Sequence, residues 1–282
     1  KSRLQDAIFR PILKQHGQRL HDESPETRPA ERNNMPSTKH AGIFRSLRQY
    51  HGDPSHSAAM DALYGTLLSP GDLAFDIGAH VGDRTSCFRR LGARVVALEP
   101  QPLAYRVLRL LHGRDDAVVL VQAACTEHEG TVRMMINSAN PTVSTASRQF
   151  TEAADGAGGW QGQIWDDAID VPATTLDALI SLHGEPQFTK IDVEGYEANV
   201  LAGLSRPIKK LSLEFTTIQI EVEPICLDRV AALGTYHFIL SLGETQTLVF
   251  ENAIPAYDLK DYVFALPQDA NSGDIYAFLQ GA

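Results

Sequence analysis

The chain has 282 residues, 43% of them hydrophobic, and a formal net charge of −10 at neutral pH. Length and apolar share suffice for one large α/β domain plus an extension. The acidic excess argues against a nucleic-acid backbone as partner, since that contact rests on Lys and Arg.

No apolar run reaches the length of a membrane span, and the N-terminus lacks the apolar core of a signal peptide. Cys87, Cys125 and Cys226 are far apart and form no C-x-x-C pair. Buried free thiols in a reducing, cytoplasmic setting are the expectation.

In chain order, Leu4–Leu20 predicts a basic amphipathic helix, and His21–Gly42 a polar linker or wrapped arm. Residues 1–57 read as an N-terminal extension, dispensable for ligand binding and a candidate surface for pairing two copies; 58–282 reads as the main domain. A helix is predicted over Ser57–Leu68, then strand Leu73–Ile77, helix Asp83–Leu91, strand Arg94–Leu98, helix Pro102–His112 and strand Ala117–Gln122. An added strand over Thr131–Ile136 precedes an irregular insert, Asn137–Ile164. Trp160 and Trp165, in or beside that insert, suit either stacking on a ligand or anchoring the loop.

Helix Thr175–His183, strand Phe188–Ile191, helix Glu197–Leu204, strand Lys210–Phe215, helix Pro224–Leu233 and strand His237–Ser241 follow. Strands near Gln246–Phe250 and Ile275–Leu279 complete the chain. This alternation predicts a doubly wound, mostly parallel α/β sheet with ligands beyond the carboxyl ends of its strands.

Two segments carry the chemistry. In the first, the apolar strand Leu73–Ile77 runs through Asp76 into Gly78 and Gly82, then a helix. Glu99 ends the next strand, where a carboxylate suits the two hydroxyls of a ribose. The pattern is D-x-G-x-x-x-G, not the G-x-G-x-x-G of dinucleotide sites. A charged Asp76 repels a pyrophosphate but tolerates the ammonium and sulfonium of S-adenosylmethionine. The bland alternative is a turn cap at Asp76 and a surface ion pair at Glu99.

The second segment is Phe188–Glu197, in which a strand ends in Asp192, followed by Glu194 and Gly195. Asp192 is expected at the strand tip facing the cleft; Glu194 reads equally as a helix cap. Glu214, ending the next strand, offers a third carboxylate.

The segments D-I-G-A-H-V-G, V-V-A-L-E-P-Q-P, T-T-L-D-A-L and K-I-D-V-E-G-Y-E-A-N-V-L-A-G occur in this order. Together, over about Pro70 to Phe215, they resemble the FkbM family of S-adenosylmethionine-dependent methyltransferases, with the Rossmann-like class I fold. The K-I-D-V-E-G-Y-E block is the specific part. The resemblance implies that Asp76, Gly78 and Gly82 line the methionine end, that Glu99 holds the ribose and that Gln122, Ala123 and Ala124 border the adenine, with Ala79, His80, Thr85 and Pro100 among the other cofactor-binding residues. Asp192 would face both sulfonium and acceptor. The family commonly has Asn where this chain has His80.

The implied activity is O-methylation of a small-molecule hydroxyl, on a sugar or natural product, leaving S-adenosylhomocysteine. Such a hydroxyl gains from a base. Asp192 and Glu194 are the candidates, with His80 and His128 behind them, and burial or pairing would have to raise their pKa. Alternatively Asp192, Glu194 and Glu214 hold a divalent metal. A nicotinamide oxidoreductase and a non-catalytic cofactor-binding protein are the competing classes.

Overall fold

A computed structural model describes residues 38–281. The predicted helix Leu4–Leu20 and most of the polar arm lie outside the described residues. The arm's end does not: Thr38–His51 forms helix α1, with Gly42 buried in it. Helix α2 follows at Pro54–Tyr64, where the Asp53 side chain accepts the Ser55 N–H at 2.8 Å and Pro54 opens the first turn.

The sheet begins with β1 (Leu73–Ile77), α3 (Asp83–Arg90), β2 (Arg94–Leu98), α4 (Pro102–His112) and β3 (Val118–Val121). It resumes with β7 (Phe188–Ile191), α7 (Glu197–Ala202), β8 (Lys210–Thr216), α8 (Val222–Leu233) and β9 (Tyr236–Leu242). It closes with β10 (Ile254–Pro255), α9 (Ala256–Phe264) and β11 (Ser272–Leu279). The strand order is β10-β9-β11-β8-β7-β1-β2-β3. Pairs β8–β7–β1–β2–β3 are parallel, and β11 is inserted antiparallel between β8 and β9.

Both faces of the sheet are covered, which is why β1 is buried at every position. Leu73, Phe75 and Ile77 point into one apolar cluster with Leu201 of α7 and Leu227 of α8. Ala74 points into the other with Tyr64 of α2, Phe88 of α3 and Leu108 of α4. The sheet order reverses between β1 and β7, so the chain leaves their carboxyl ends in opposite directions and opens a crevice there.

Three regions differ from expectation. The predicted strand Thr131–Ile136 is β5 (Gly130–Ile136), but it joins a separate sheet of order β4-β6-β5 with β4 (Ala124–Cys125) and β6 (Asp167–Thr174). The insert is partly ordered by a short turn, Pro141–Val143, and by α5 (Arg148–Ala154), whose Ser147 hydroxyl accepts the Phe150 N–H at 3.1 Å. Gln246–Phe250 forms no strand: only Leu248 bridges, to Ser241. Helix α6 (Leu176–His183) is as expected.

Candidate active site

The crevice holds a cleft of about 930 Å³, counted with its open mouth. Asp76 and Gly78–His80 from the end of β1 line it, as do Glu99 and Pro100 from β2, Ala123 after β3, Asp192–Glu194 after β7 and Glu214 from β8. The two sequence segments therefore meet in one space.

Asp76 is 1% exposed and accepts the Thr85 hydroxyl at 2.5 Å. Burial pushes its carboxyl up to about 6, against that hydrogen bond. Glu99 accepts two backbone N–H groups, His80 at 2.9 Å and Gln101 at 2.7 Å. Burial still pushes it up to about 7. Its carboxylate thus ties the glycine turn after β1 to the start of α4. Neither residue matches the bland expectation of a turn cap or a surface ion pair.

Gly82 and Thr85 stand behind the cleft instead of lining it. Gly82 adopts φ 80° as it enters α3, and Thr85 holds Asp76. Gln122 is exposed and lies outside the lining; Ala123 and Ala124 provide that wall.

His80 also has positive φ, 45°. Its ring meets Tyr50 edge-on at 6.2 Å, and burial lowers it to about 4, so it is neutral near pH 7. His128 is exposed and outside the cleft, which removes it as a candidate base.

The second segment brings three carboxylates together: one oxygen each of Asp192, Glu194 and Glu214 lie within 4.8 Å of one another. Glu194 does not cap the next helix. Helix α7 starts at Glu197 without a side-chain cap, and Glu194 sits at φ 56° with its carbonyl accepting the Thr145 hydroxyl at 2.6 Å. Lys190, 1% exposed, stands opposite Asp76 in the β1–β7 register. Its ammonium lies 2.5 Å from Asp274 and 3.2 Å from Asp192.

The three carboxyls therefore diverge. Burial opposes ionisation of Asp192, but the Lys190 ammonium holds it below its ordinary value. Burial and the Asp192 charge push Glu194 and Glu214 well up. A base at Asp192 would need a raised pKa, and the buried Lys190 cation beside it lowers it instead.

Other lining residues carried no signal in the motifs. Tyr50 comes from α1, Tyr196 from the turn before α7, and Thr142, Ser144 and Ala146 from the insert. Arg84, 6% exposed, bridges Asp83 at 2.5 Å and Glu244 at 2.7 Å, joining α3 to the loop after β9. Burial opposes the Asp83 charge, yet Arg84 holds that carboxyl well below the usual range. Glu244 follows β9, which pairs only antiparallel with β10 and β11, so its place in the chain gave no sign of the site.

The tryptophans anchor. Trp160 and Trp165 meet Phe150 edge-on at 5.2 and 6.1 Å, and the Trp165 indole donates to the Val143 carbonyl at 2.9 Å. Neither lines the cleft.

A cleft at the sheet reversal, with a glycine turn as floor and a buried carboxylate at each of two strand tips, lies where open α/β sheets hold their ligands. The chain belongs to the FkbM methyltransferase domain family, whose pattern matches residues 76–242. It is 28% identical over 163 residues to the 31-O-demethyl-FK506 methyltransferase FkbM of Streptomyces tacrolimicus, a match covering 50% of this chain and 62% of that protein. Among solved structures, it is similar to a TehB-like SAM-dependent methyltransferase from Corynebacterium glutamicum, with TM-score 0.44, 10% identity and coverage of 87% and 100% of the two chains. An O-methyltransferase from Bacillus cereus in complex with SAH gives TM-score 0.40, 12% identity and coverage of 88% and 93%. Among the described residues no helix is long and apolar enough to cross a membrane, and all three cysteines are free and buried.

Proposed function

We propose that the chain transfers the methyl group of S-adenosylmethionine to a hydroxyl of a small molecule, a sugar or natural-product glycoside, leaving S-adenosylhomocysteine. The observation that carries this reading is the meeting of Asp76 and Glu99 with the Asp192 cluster around one cleft. Glu99 suits the ribose hydroxyls once ionised, and Asp76 suits the cationic methionine end. Ala123 and Pro100 offer apolar contact to the base. The donor set fits this cofactor: carboxylates for its cationic and hydroxyl groups, and no glycine cradle for a pyrophosphate.

Bound S-adenosylmethionine would supply the methyl group for an in-line displacement. The protein's share is to position the acceptor oxygen at about 3 Å from that carbon. Asp192 lies at the strand tip beside the cofactor end of the cleft and accepts a hydrogen bond from the acceptor hydroxyl. Glu194 and Glu214, pushed up by burial and by the Asp192 charge, leave Asp192 as the ionised member of the three. Lys190, fixed by Asp274, orients Asp192.

The test is a transfer screen with labelled S-adenosylmethionine over sugars and glycosides, with and without chelator. Transfer to a hydroxyl, unaffected by chelator, supports the reading. Activity lost to chelator and restored by Mg²⁺ would give Asp192, Glu194 and Glu214 the metal role instead. Binding of NAD without S-adenosylmethionine would move the protein to the oxidoreductase class.

A further inference from the structure

The cleft is lined by seven acidic side chains and by two strongly basic ones, Arg84 and Lys190. Lys190 is held on both sides, by Asp274 and Asp192. Arg84 keeps a donor in reserve. One of its nitrogens meets Asp83 and another meets Glu244, while Nε is buried with no hydrogen-bond partner. A buried charged donor left unpaired is costly.

The two partners of Arg84 differ in what they can do. Asp83 opens α3, and its side chain is 11% exposed, so it is held inside the fold. Glu244 comes from the loop after β9, 160 residues along the chain, and its side chain is 50% exposed. It lines the cleft and also reaches water. Beside Arg84 it accepts Gln246 Nε2 at 3.1 Å. A half-exposed ion pair breaks at small cost. Stripping Arg84 from Asp83 would instead leave a buried charge unpaired.

The methionine end of S-adenosylmethionine carries an ammonium and a carboxylate. Asp76 suits the first. In a cleft lined mainly by acids, the second needs a cation. At Asp76 burial raises the carboxyl and the Arg84 charge opposes that rise, so the two groups sit close enough to act on one another.

We propose that Glu244 is a stand-in ligand: its carboxylate occupies Arg84 until the α-carboxylate of the cofactor displaces it, with Asp83 kept throughout. No covalent bond changes. One carboxylate replaces another on the guanidinium, and Glu244 turns to water. The exchange makes the cleft select a ligand with an intact amino-acid end, and it unlinks α3 from the loop after β9 as the ligand enters. It rests on the methyl-transfer reading for the identity of that ligand.

The test is calorimetric titration of the full chain with S-adenosylhomocysteine and with its decarboxylated analogue, which keeps the ammonium and the adenosine. Wild type should bind the first more tightly. Arg84→Gln should lose roughly ten- to a hundredfold in affinity for S-adenosylhomocysteine, the strength of a charge-assisted hydrogen bond, and little for the analogue. Because that change leaves Asp83 buried and unpaired, Arg84→Lys, which keeps the charge without the fork, is measured beside it and should show a smaller loss of the same kind. Glu244→Gln keeps the shape and removes the competing charge, and should gain roughly two- to fivefold for S-adenosylhomocysteine alone. With Arg84 already replaced, the Glu244 change should have no effect.

Equal losses for the two ligands in the Arg84 variants would remove Arg84 as the carboxylate site. Unchanged or weaker S-adenosylhomocysteine binding in Glu244→Gln would overturn the exchange. Failure of wild type to bind either ligand overturns the cofactor reading itself and is seen separately.

Discussion

Gly78 and Asp192 touch across the sheet reversal: a Cβ on Gly78 would lie 1.8 Å from the Asp192 carbonyl oxygen. The turn after β1 and the turn after β7 are therefore packed backbone to backbone, and the glycine holds φ 85° to allow it. Gly78 also lines the cleft, so the same residue forms its floor and the contact between the two halves of the site.

Gly78→Ala should therefore spread the two turns. Left-handed strain and a backbone clash together should cost on the order of 2–4 kcal/mol. Urea unfolding and S-adenosylhomocysteine titration check this, and both stability and binding should fall. An alanine variant that binds normally would show that the two turns are not coupled.

Asp76→Ala and Glu99→Ala should each weaken S-adenosylmethionine binding by on the order of 1.5–3 kcal/mol, the worth of a charge-assisted hydrogen bond. Glu99→Ala should be the more disruptive, since it also frees the His80 and Gln101 N–H groups. Titration calorimetry on both variants is the measurement.

The alternation of strands and helices, and the carboxylates at three strand ends, were legible because local patterns fix them. Asp192, Glu194 and Glu214 follow or end two adjacent strands, and their oxygens lie within 4.8 Å of one another. What was not legible depends on contacts distant in sequence. Asp192 is held low by Lys190, and Lys190 in turn by Asp274, 84 residues away. β6 has no predicted counterpart because its partners, β5 and β4, form a separate small sheet. Tyr50 reaches the cleft because α1 docks through His51 onto the Val81 carbonyl at 2.9 Å and Arg45 onto the Ala139 carbonyl at 3.2 Å.

That docking changes the expectation for the N-terminal extension. Deleting residues through Ser57 removes α1, Tyr50 and these two bonds. We expect such a truncation to lose S-adenosylhomocysteine binding and to lower the melting temperature. Unchanged binding would return Tyr50 and α1 to the status of a dispensable arm.

Stability should fall as pH rises toward neutrality and beyond. Glu99 and Glu197 are pushed by burial from 4.5 to about 7, and Asp76 from 3.8 to about 6. A carboxyl raised in the fold binds its proton more tightly there than in the unfolded chain. Its contribution is complete below the unfolded value and is lost as pH rises through the folded one. His80, lowered from 6.5 to about 4, acts in the opposite sense, but only below about 6.5. Urea midpoints at about pH 6.5 and about pH 8 should therefore show a loss of more than about 1 kcal/mol. A rise over that interval contradicts the protonated cluster.

Once an acceptor is found, Asp192→Asn should slow single-turnover transfer by roughly a hundredfold or more while changing cofactor affinity less. Glu194→Gln should have the smaller effect.

The most direct measurement is calorimetric titration of the wild-type chain with S-adenosylmethionine, S-adenosylhomocysteine and NAD in parallel. One site is expected for each of the first two, weakened in Glu99→Ala, and no heat from NAD. Binding of NAD in their place, or no binding of S-adenosylmethionine, would contradict it.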